Sequence, residues 1–426
     1  MTKKLVFLCS LTLAALAVAA PAQASRYAKF GIQDDAWLAA GPGTIDQRLD
    51  TLVDLGVDVV RYNIRWDQVA TRRPENPRWG GDPAYQWGPG DAVLKGLRAR
   101  GIGVVATLAG SPRWANGGRT FQYAPLRGQD FGNFAAAAAN RYPWIRQWTI
   151  WNEPNKLLWF RPQSPRLYVQ RLLNPAYAAL KAANRSNKVA GGVTAPRGGR
   201  GGTSPVAWIR AMDRYRPRLD AYAHNPYATN AKTQTPTKGA CAHCATITMA
   251  SLERLIREVR RAFGNKRIWL TEYGYQTPPD RTVLSVSKAT AARYMSEATR
   301  RVYAAPYVDL LIHFLVRDDT YMAGWQSGFF HTNGAMKPTY RAWQFPLTQT
   351  SRSGLRTALW GQVKPRAGKQ PYRLRQFRNR RWVWIGGTRW TNARGAFART
   401  VRAGKGAKFQ IWSPRDRAYS VIWTVR

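Results

Sequence analysis

The sequence is short of acidic residues, histidine and cysteine. Its 426 residues include 23 Asp and Glu against 66 Lys and Arg, a formal net charge of +43 at pH 7. Four histidines and three cysteines leave few ligands for a metal site. The basic residues are dispersed, and no helix-turn-helix, zinc-finger or RRM pattern accompanies them, so we predict no nucleic-acid partner. The charge has two remaining interpretations: a solubilising surface, or attraction to acidic glycans or an anionic cell envelope.

Long apolar runs are also missing, apart from the first 24 residues. Lys3 and Lys4 precede an apolar run at 5–20, which is too short for a comfortable membrane span. The small residues at 22–24 are typical of a signal-peptide cleavage site. We therefore predict a cleavable signal peptide over residues 1–24, a secreted or extracytoplasmic mature chain, and no transmembrane segment in that mature chain.

Cysteine usage agrees with export. Cys9 would leave with the signal peptide, and the remaining pair lies in "GACAHCAT" as Cys241 and Cys244. A disulfide is the favoured interpretation for two cysteines in one loop of an exported protein. A redox C-x-x-C lacks a thioredoxin-like context, and a zinc site with His243 would have only three ligands. We predict a disulfide, no metal and no cofactor.

Short apolar runs alternate with amphipathic helical segments through most of the chain. Continuous Val- and Ile-rich runs are typical of parallel strands buried on both faces. Eight such strand–helix pairs predict a (β/α)8 barrel over residues 25–347. The alternative, an open doubly wound sheet, lacks a glycine-rich phosphate fingerprint after the first strand. The predicted strands are 27–33, 57–64, 103–109, 147–152, 188–194, 219–225, 267–273 and 308–316.

The pattern changes after about residue 350. Residues 350–426 contain short strand-like runs with glycine-rich or basic turns and no helical periodicity, which predicts a small β-sandwich accessory domain. This segment holds 19 Lys and Arg against one acid, Asp416, and contact with an anionic cell envelope is one interpretation of that charge. Its tryptophans could stack on sugars, but packing in the core is the favoured interpretation. They are Trp382, Trp384, Trp390, Trp412 and Trp423.

Two glutamates lie at the ends of predicted strands. Glu153 follows the fourth strand in "QWTIWNEPNKLLWF", and Glu272 ends the seventh in "IWLTEYGYQT". Reactive groups in such barrels lie at the C-terminal strand ends, so the two carboxyls should face each other across the mouth. Aromatic surroundings favour the protonated form of Glu153, while Arg61, Tyr227 or His224 would keep the other carboxyl ionised. One protonated and one ionised carboxyl is what glycoside hydrolysis needs.

These motifs carry a family resemblance. "IWNEPN" followed by "LLWF" resembles the strand-four signature of glycoside hydrolase clan A, and "IWLTEYGYQT" resembles its strand-seven nucleophile motif. "DAYAHNPY" and "GAMKPTYRAW" are similar to its strand-six motif and to the stretch after strand eight. The resemblance covers about residues 27–347 and is closest to families 5 and 39. It implies a retaining β-glycosidase that acts on a polysaccharide or oligosaccharide, an acidic one if the charge serves binding.

The resemblance also implies roles for single residues. Glu153 would be the general acid/base and Glu272 the nucleophile of a double displacement. Asn152 would bind the sugar 2-hydroxyl, and Arg61 would support the nucleophile. For the other candidates, His224 above all, ordinary packing is the alternative. The substrate-binding candidates are Asn152, Arg61, His224, Tyr227, Trp66, Trp114, Trp151, Trp159 and Trp325.

The eighth strand departs from the clan pattern. The clan often places a tryptophan at its end, where this sequence has His313 and Phe314; we expect Trp325, in the following loop, to replace it. Retention would require the carboxyls of Glu153 and Glu272 to lie roughly 5–5.5 Å apart. The alternative function is a non-catalytic carbohydrate- or envelope-binding protein on the same scaffold, which the loss of one glutamate would favour.

Overall fold

Eight parallel strands close into a barrel in sequence order. The computed structural model describes residues 28–241, 243–321 and 324–426, so the predicted signal peptide lies outside the described residues. The predicted (β/α)8 barrel is confirmed. Its strands are β1 (Lys29–Gln33), β2 (Val59–Arg65), β3 (Gly103–Ala109), β4 (Gln147–Ile150), β5 (Lys188–Thr194), β6 (Ala221–His224), β7 (Arg267–Tyr273) and β8 (Val308–Phe314).

Helices between the strands cover the barrel. The sequence sets their ends; at the start of α2, for example, Thr44 and Gln47 cap each other reciprocally. A π-helical turn (Tyr168–Leu173) separates α6 from α7, and a 3-10 turn (Met249–Ser251) precedes α9. The helices are α1 (Asp35–Ala40), α2 (Ile45–Asp54), α3 (Trp66–Val69), α4 (Pro89–Ala99), α5 (Gly128–Arg141), α6 (Pro165–Leu167), α7 (Asn174–Ala183), α8 (Pro205–Asp213), α9 (Leu252–Phe263), α10 (Lys288–Ala304) and α11 (Pro338–Gln344).

The barrel interior changes from apolar to polar along the strands. Because side chains two apart on a strand share a face, Val59 and Arg61 both point inward, as do Val105 and Thr107. The valines belong to a small interior apolar cluster. Two residues further on, Arg61 donates to Thr107, whose hydroxyl contacts that of Thr149 at 2.7 Å. The polar layer therefore lies toward the C-terminal strand ends.

Two antiparallel sheets follow the barrel, and the predicted β-sandwich is confirmed. One has the order β14-β10-β9; the other has the order β12-β11-β15-β16, with β13 and β17 paired alongside. Their shared core includes Leu359, Tyr372 and Ile411. The boundaries at 347 and 350 stay predictions. The strands are β9 (Leu347–Ser353), β10 (Arg356–Gln362), β11 (Pro371–Arg378), β12 (Arg381–Trp384), β13 (Arg389–Trp390), β14 (Ala396–Arg402), β15 (Lys408–Ser413), β16 (Ala418–Tyr419) and β17 (Trp423–Thr424).

Three smaller observations bear on the sequence analysis. Cys241 and Cys244 are joined by a disulfide, with their Cα atoms 5.3 Å apart. Within the three described ranges, no helix has the length and apolar character needed to cross a membrane. The same ranges contain no cluster of three or more His, Cys, Asp or Glu side chains arranged to hold a metal ion.

Candidate active site

The guanidinium of Arg61 organises the barrel mouth. It rises from β2 and is fully buried. Its Nε donates to Thr107 Oγ1 at 2.9 Å, and its Nη1 donates to Gln33 Oε1 at 2.6 Å. Bonds from two neighbouring strands therefore fix the plane of the guanidinium, and its remaining N–H groups point toward groups at the strand ends.

Those N–H groups hold Glu272 and Asn152. Nη1 of Arg61 is 2.5 Å from Oε1 of Glu272, and Nη2 donates to Oδ1 of Asn152 at 2.9 Å. The other carboxyl oxygen, Oε2, accepts a longer bond of 3.3 Å from the Tyr227 hydroxyl. Glu272 is only 9% exposed. One arginine thus positions both the strand-seven carboxyl and the amide that follows strand four.

Burial dominates the electrostatics of Glu272. It raises the pKa of the carboxyl to about 7; the positive charge of Arg61 opposes this rise, and the negative charge of Glu153 adds to it. Arg61 was expected to keep this carboxyl ionised, but desolvation outweighs the ion pair. Burial, with the charge of Glu272, also raises the pKa of Tyr227 well above its usual value, so Tyr227 remains a hydrogen-bond donor.

Glu153 has a strained backbone and polar neighbours. It follows β4 with φ +42°, a left-handed conformation rare for residues other than glycine, and its N–H donates to the carbonyl of Val193 at 2.9 Å. Oε1 accepts from Asn225 Nδ2 at 3.1 Å, and Oε2 is 3.2 Å from the Lys156 ammonium. The carboxyl, 6% exposed, therefore contacts an amide and an ammonium group, rather than only aromatic rings as expected.

Asn225 connects the two acidic centres. Its Oδ1 accepts from the Thr271 hydroxyl at 2.8 Å, which fixes the amide so that Nδ2 points to Glu153. Thr271 directly precedes Glu272 on β7. Two buried carboxyl groups, each held by its own donors, thus lie at the C-terminal ends of the strands, and the charge of Glu153 affects the pKa of Glu272. Such a pair can divide proton transfer and nucleophilic attack between its members.

Comparison with known proteins identifies the class of enzyme. A family model described as "Glycosyl hydrolase catalytic core" matches residues 211–343, a range that contains Asn225, Tyr227 and Glu272. The chain is a glycoside hydrolase. No curated protein sequence matches this hydrolase.

Solved structures share the fold of this glycoside hydrolase at low sequence identity. A family 39 glycoside hydrolase from Bacteroides cellulosilyticus WH2 is 14% identical, with a TM-score of 0.59 over 88% of this chain and 81% of that one. A family 39 enzyme from Xanthomonas axonopodis pv. citri is 15% identical, with a TM-score of 0.58 over 89% and 93%. An exo-β-1,4-mannosidase from Opitutaceae bacterium strain TAV5 is 15% identical, with a TM-score of 0.51 over 75% and 59%.

Trp325 lies beside the acidic pair of the hydrolase. Its ring centroid is 4.9 Å from that of Tyr227, the donor to Glu272, and 5.9 Å from that of Phe314 on β8. The ring is only partly buried. Phe314 stands near the end of β8, where the clan often has a tryptophan. Trp325, from the loop after β8, therefore lies beside that position. By contrast, His313 is buried, and its Nε2 donates to the carbonyl of Ser327 at 3.0 Å.

The other tryptophan candidates divide by burial. Trp66 and Trp151 are core residues without a ring face open to a sugar, so the packing alternative holds for both. Trp66 packs on Phe134, and the Trp151 indole donates to the carbonyl of Trp159 at 2.8 Å. Trp114 and Trp159 are partly exposed and stay candidates for sugar contact.

His224 is part of the core beneath the mouth. Its Nε2 lies 3.1 Å from the carbonyl of Ile247, so this nitrogen carries the proton, and Nδ1 accepts from Thr194 at 2.9 Å. Burial lowers the pKa of the ring to about 4. Both nitrogens are thus bonded within the protein and the ring is fully buried, so the packing alternative is favoured for His224 over a place in the −1 subsite.

Sequence reasoning missed several residues that support the pair. Asn225 lies in the same motif as His224, one position later, and that single step moves the side chain to the other face of the strand. Gln33 ends β1, and its Nε2 donates to Asp35 at 2.8 Å, which turns its oxygen toward Arg61. A polar residue at a strand end was the available signal. The other supporting residues missed are Thr107, Lys156 and Thr271.

Proposed function

We propose that this glycoside hydrolase is an exported retaining enzyme that cleaves β-glycosidic bonds in a polysaccharide or oligosaccharide. The observation that carries the proposal is the buried carboxyl pair: Glu272 held by Arg61, and Glu153 tied to the same strand end through Asn225. Two carboxyl groups with different partners, flanking one cleft, are what double displacement uses. Export rests on the leader sequence at 1–24.

The first step forms a covalent glycosyl-enzyme. An oxygen of ionised Glu272 attacks the anomeric carbon from the side opposite the leaving group, while protonated Glu153 gives its proton to the departing oxygen. We assign the attack to Oε2, because its bond from Tyr227 is 3.3 Å long, whereas Oε1 is held by Arg61 at 2.5 Å. As Oε2 becomes an ester oxygen, little hydrogen bonding is lost.

The second step releases the sugar. Glu153, now ionised, takes a proton from water, and the resulting hydroxide attacks the anomeric carbon. The bond between the anomeric carbon and Glu272 breaks, and Glu272 regains the negative charge that pairs with the Arg61 guanidinium. The Lys156 ammonium, 3.2 Å from Glu153, stabilises the ionised base between the two steps. Two inversions give net retention.

Asn152 is proposed to bind the sugar whose glycosidic bond is cleaved. Its Oδ1 is occupied by Arg61 at 2.9 Å, which leaves its Nδ2 to donate to a sugar 2-hydroxyl. Such a contact strengthens in the oxocarbenium-like transition state. The shared fold with family 39 enzymes supports this arrangement, while the sugar and the linkage stay open.

The test separates the two carboxylates by the product of azide rescue. In Glu272→Ala, azide should replace the nucleophile and give the α-glycosyl azide. In Glu153→Ala, with an activated aryl glycoside, azide should attack the glycosyl-enzyme and give the β-azide. Glu253→Ala removes a carboxylate that pairs with Arg301 on the surface and serves as the control.

Product stereochemistry is read by NMR. Unrescued turnover in Glu272→Ala at the wild-type rate would refute its role as nucleophile, and an inverted wild-type product would refute retention. A wild-type chain that binds a broad glycan panel without turnover would favour a binding protein. The predicted carboxyl separation of roughly 5–5.5 Å is checked in a crystal structure of the trapped intermediate.

A further inference from the structure

The six-stranded sheet of the C-terminal region has one apolar face and one aromatic–arginine face. Along β11, Tyr372, Leu374 and Gln376 are buried, whereas the residues between them are partly or fully exposed. Strand pairing places residues of the neighbouring strands on the same side, because directly paired residues share a face. The aromatic–arginine face comprises Arg373, Arg375, Phe377, Trp382, Trp384, Lys408, Gln410, Trp412 and Tyr419.

Arginines on this face lie against aromatic rings. The guanidinium carbon of Arg375 is 3.6 Å from the ring centroid of Tyr419 and 4.5 Å from that of Trp382. That of Arg373 is 3.9 Å from the Trp384 ring. Stacking covers the planes of the guanidinium groups and restrains their side chains, while those N–H groups that are neither buried nor bonded to Gln410 are left to bind an anion.

The positive charge of the face has no acidic partner. Within the described residues, neither Arg373 nor Arg375 forms a salt bridge, and Nε of Arg373 is buried without a hydrogen-bond partner. Arg375 donates to the neutral side chain of Gln410 and is hydrogen-bonded to the Tyr419 hydroxyl. Asp416, the sole acid after residue 350, is engaged by Arg366 and by a serine hydroxyl.

We propose that this face binds an acidic polysaccharide, a polyuronate chain, whose carboxylates pair with Arg373 and Arg375. The exposed rings of Phe377 and Trp384, both 37% exposed, then contact the apolar faces of the sugars. Arg373 and Arg375 are two residues apart on one strand, which separates their Cα atoms by roughly 7 Å. A polymer with regularly spaced carboxylates can therefore pair with both. The choice of a glycan over another polyanion rests on the proposed function. A glycan held on this face would be kept at a high effective concentration near the barrel that cleaves it.

The experiment measures binding rather than catalysis. Calorimetry with the full-length Glu272→Gln chain compares a polyuronate, the same polymer after carboxyl reduction, and single-stranded DNA of equal charge. Binding by this chain does not depend on turnover, so failure of the proposed chemistry leaves the result readable. The double variant Arg373→Gln/Arg375→Gln tests the face. Arg356→Gln/Arg402→Gln, an exposed pair on β10 and β14, removes the same charge elsewhere in the sandwich.

The expected results are specific. The polyuronate should bind, its affinity should fall at least tenfold in the Arg373/Arg375 variant and less than threefold in the control variant, and the reduced polymer should bind at least tenfold more weakly. Trp384→Ala should weaken polyuronate binding without changing charge. Equal losses in the two double variants, or DNA bound as tightly as the polyuronate, would overturn the proposal. Unchanged melting temperatures show that the variants are folded.

Discussion

Replacing Arg61 by methionine should move the acid side of the pH–rate profile upward. Methionine keeps an unbranched chain of similar length but removes the charge that opposes the raised pKa of Glu272. Glu272 then lies 9% exposed without a cation to stabilise its ionised form. Since only an ionised carboxyl can serve as the proposed nucleophile, activity at a given pH should follow the ionised fraction of Glu272.

The magnitude follows from the cost of an unpaired buried charge. Removing one partner of a buried pair costs about 3–5 kcal/mol, and one pKa unit corresponds to about 1.36 kcal/mol. Taking about 3 kcal/mol, the pKa of Glu272 rises by about two units from its value of about 7. At pH 7 the ionised fraction then drops from about one half to about one in a hundred, so kcat/KM should fall about 50-fold.

The assay is kcat/KM for an aryl β-glycoside between pH 5 and pH 10. The wild type should lose activity below about pH 7, where Glu272 becomes protonated. In Arg61→Met the loss at neutral pH should be partly recovered at higher pH. Arg61→Lys is the control, because it keeps the charge but loses the fork that also holds Asn152. A uniform loss at every pH in Arg61→Met would refute the electrostatic role and leave only positioning.

Three further predictions test the neighbours of the pair. In Glu153→Gln, removing a negative charge should lower the pKa of Glu272. The pre-steady-state burst with an activated leaving group should then persist to lower pH than in wild type. An unshifted burst profile would contradict the charge interaction between Glu153 and Glu272. Trp325→Ala should lower kcat/KM about three- to tenfold, mainly through KM, whereas the distant exposed Trp390→Ala should not. Trp66→Ala should cost about 3–5 kcal/mol in urea unfolding; a loss below about 1 kcal/mol would contradict its place in the core.

The barrel was readable because its strands are buried on both faces. Continuous runs such as "KVAGGVT" and "RIWLTEY" mark strand positions to within a few residues, and the fold then brings Glu153 and Glu272 to the same end. Locating the two glutamates at the barrel mouth required only the strand positions and the rule that reactive groups lie at the C-terminal strand ends. Their electrostatic environment needed more, because burial depends on how the loops close over the mouth, and burial outweighs the ion pair with Arg61 at Glu272.

Side-chain direction accounts for most of the errors. From the sequence alone, Trp66 and Trp151 could equally be core residues or surfaces on which a sugar stacks. The packing of α5, which places Phe131 against both rings, identifies them as core residues. His224 and Asn225 are adjacent, so a sequence motif singles out both equally. Which of them faces the mouth depends on the register of β6, and a one-residue step reverses the answer.

The left-handed backbone of Glu153 places catalysis and durability in opposition. A non-glycine residue in this conformation costs on the order of 1–3 kcal/mol, which glycine at position 153 would not incur. Random mutagenesis followed by selection for heat resistance alone would therefore favour loss of the proposed acid/base at this position. A programme that seeks a more heat-resistant enzyme should measure turnover in every round, because a change that relieves this backbone strain also removes the proposed acid/base.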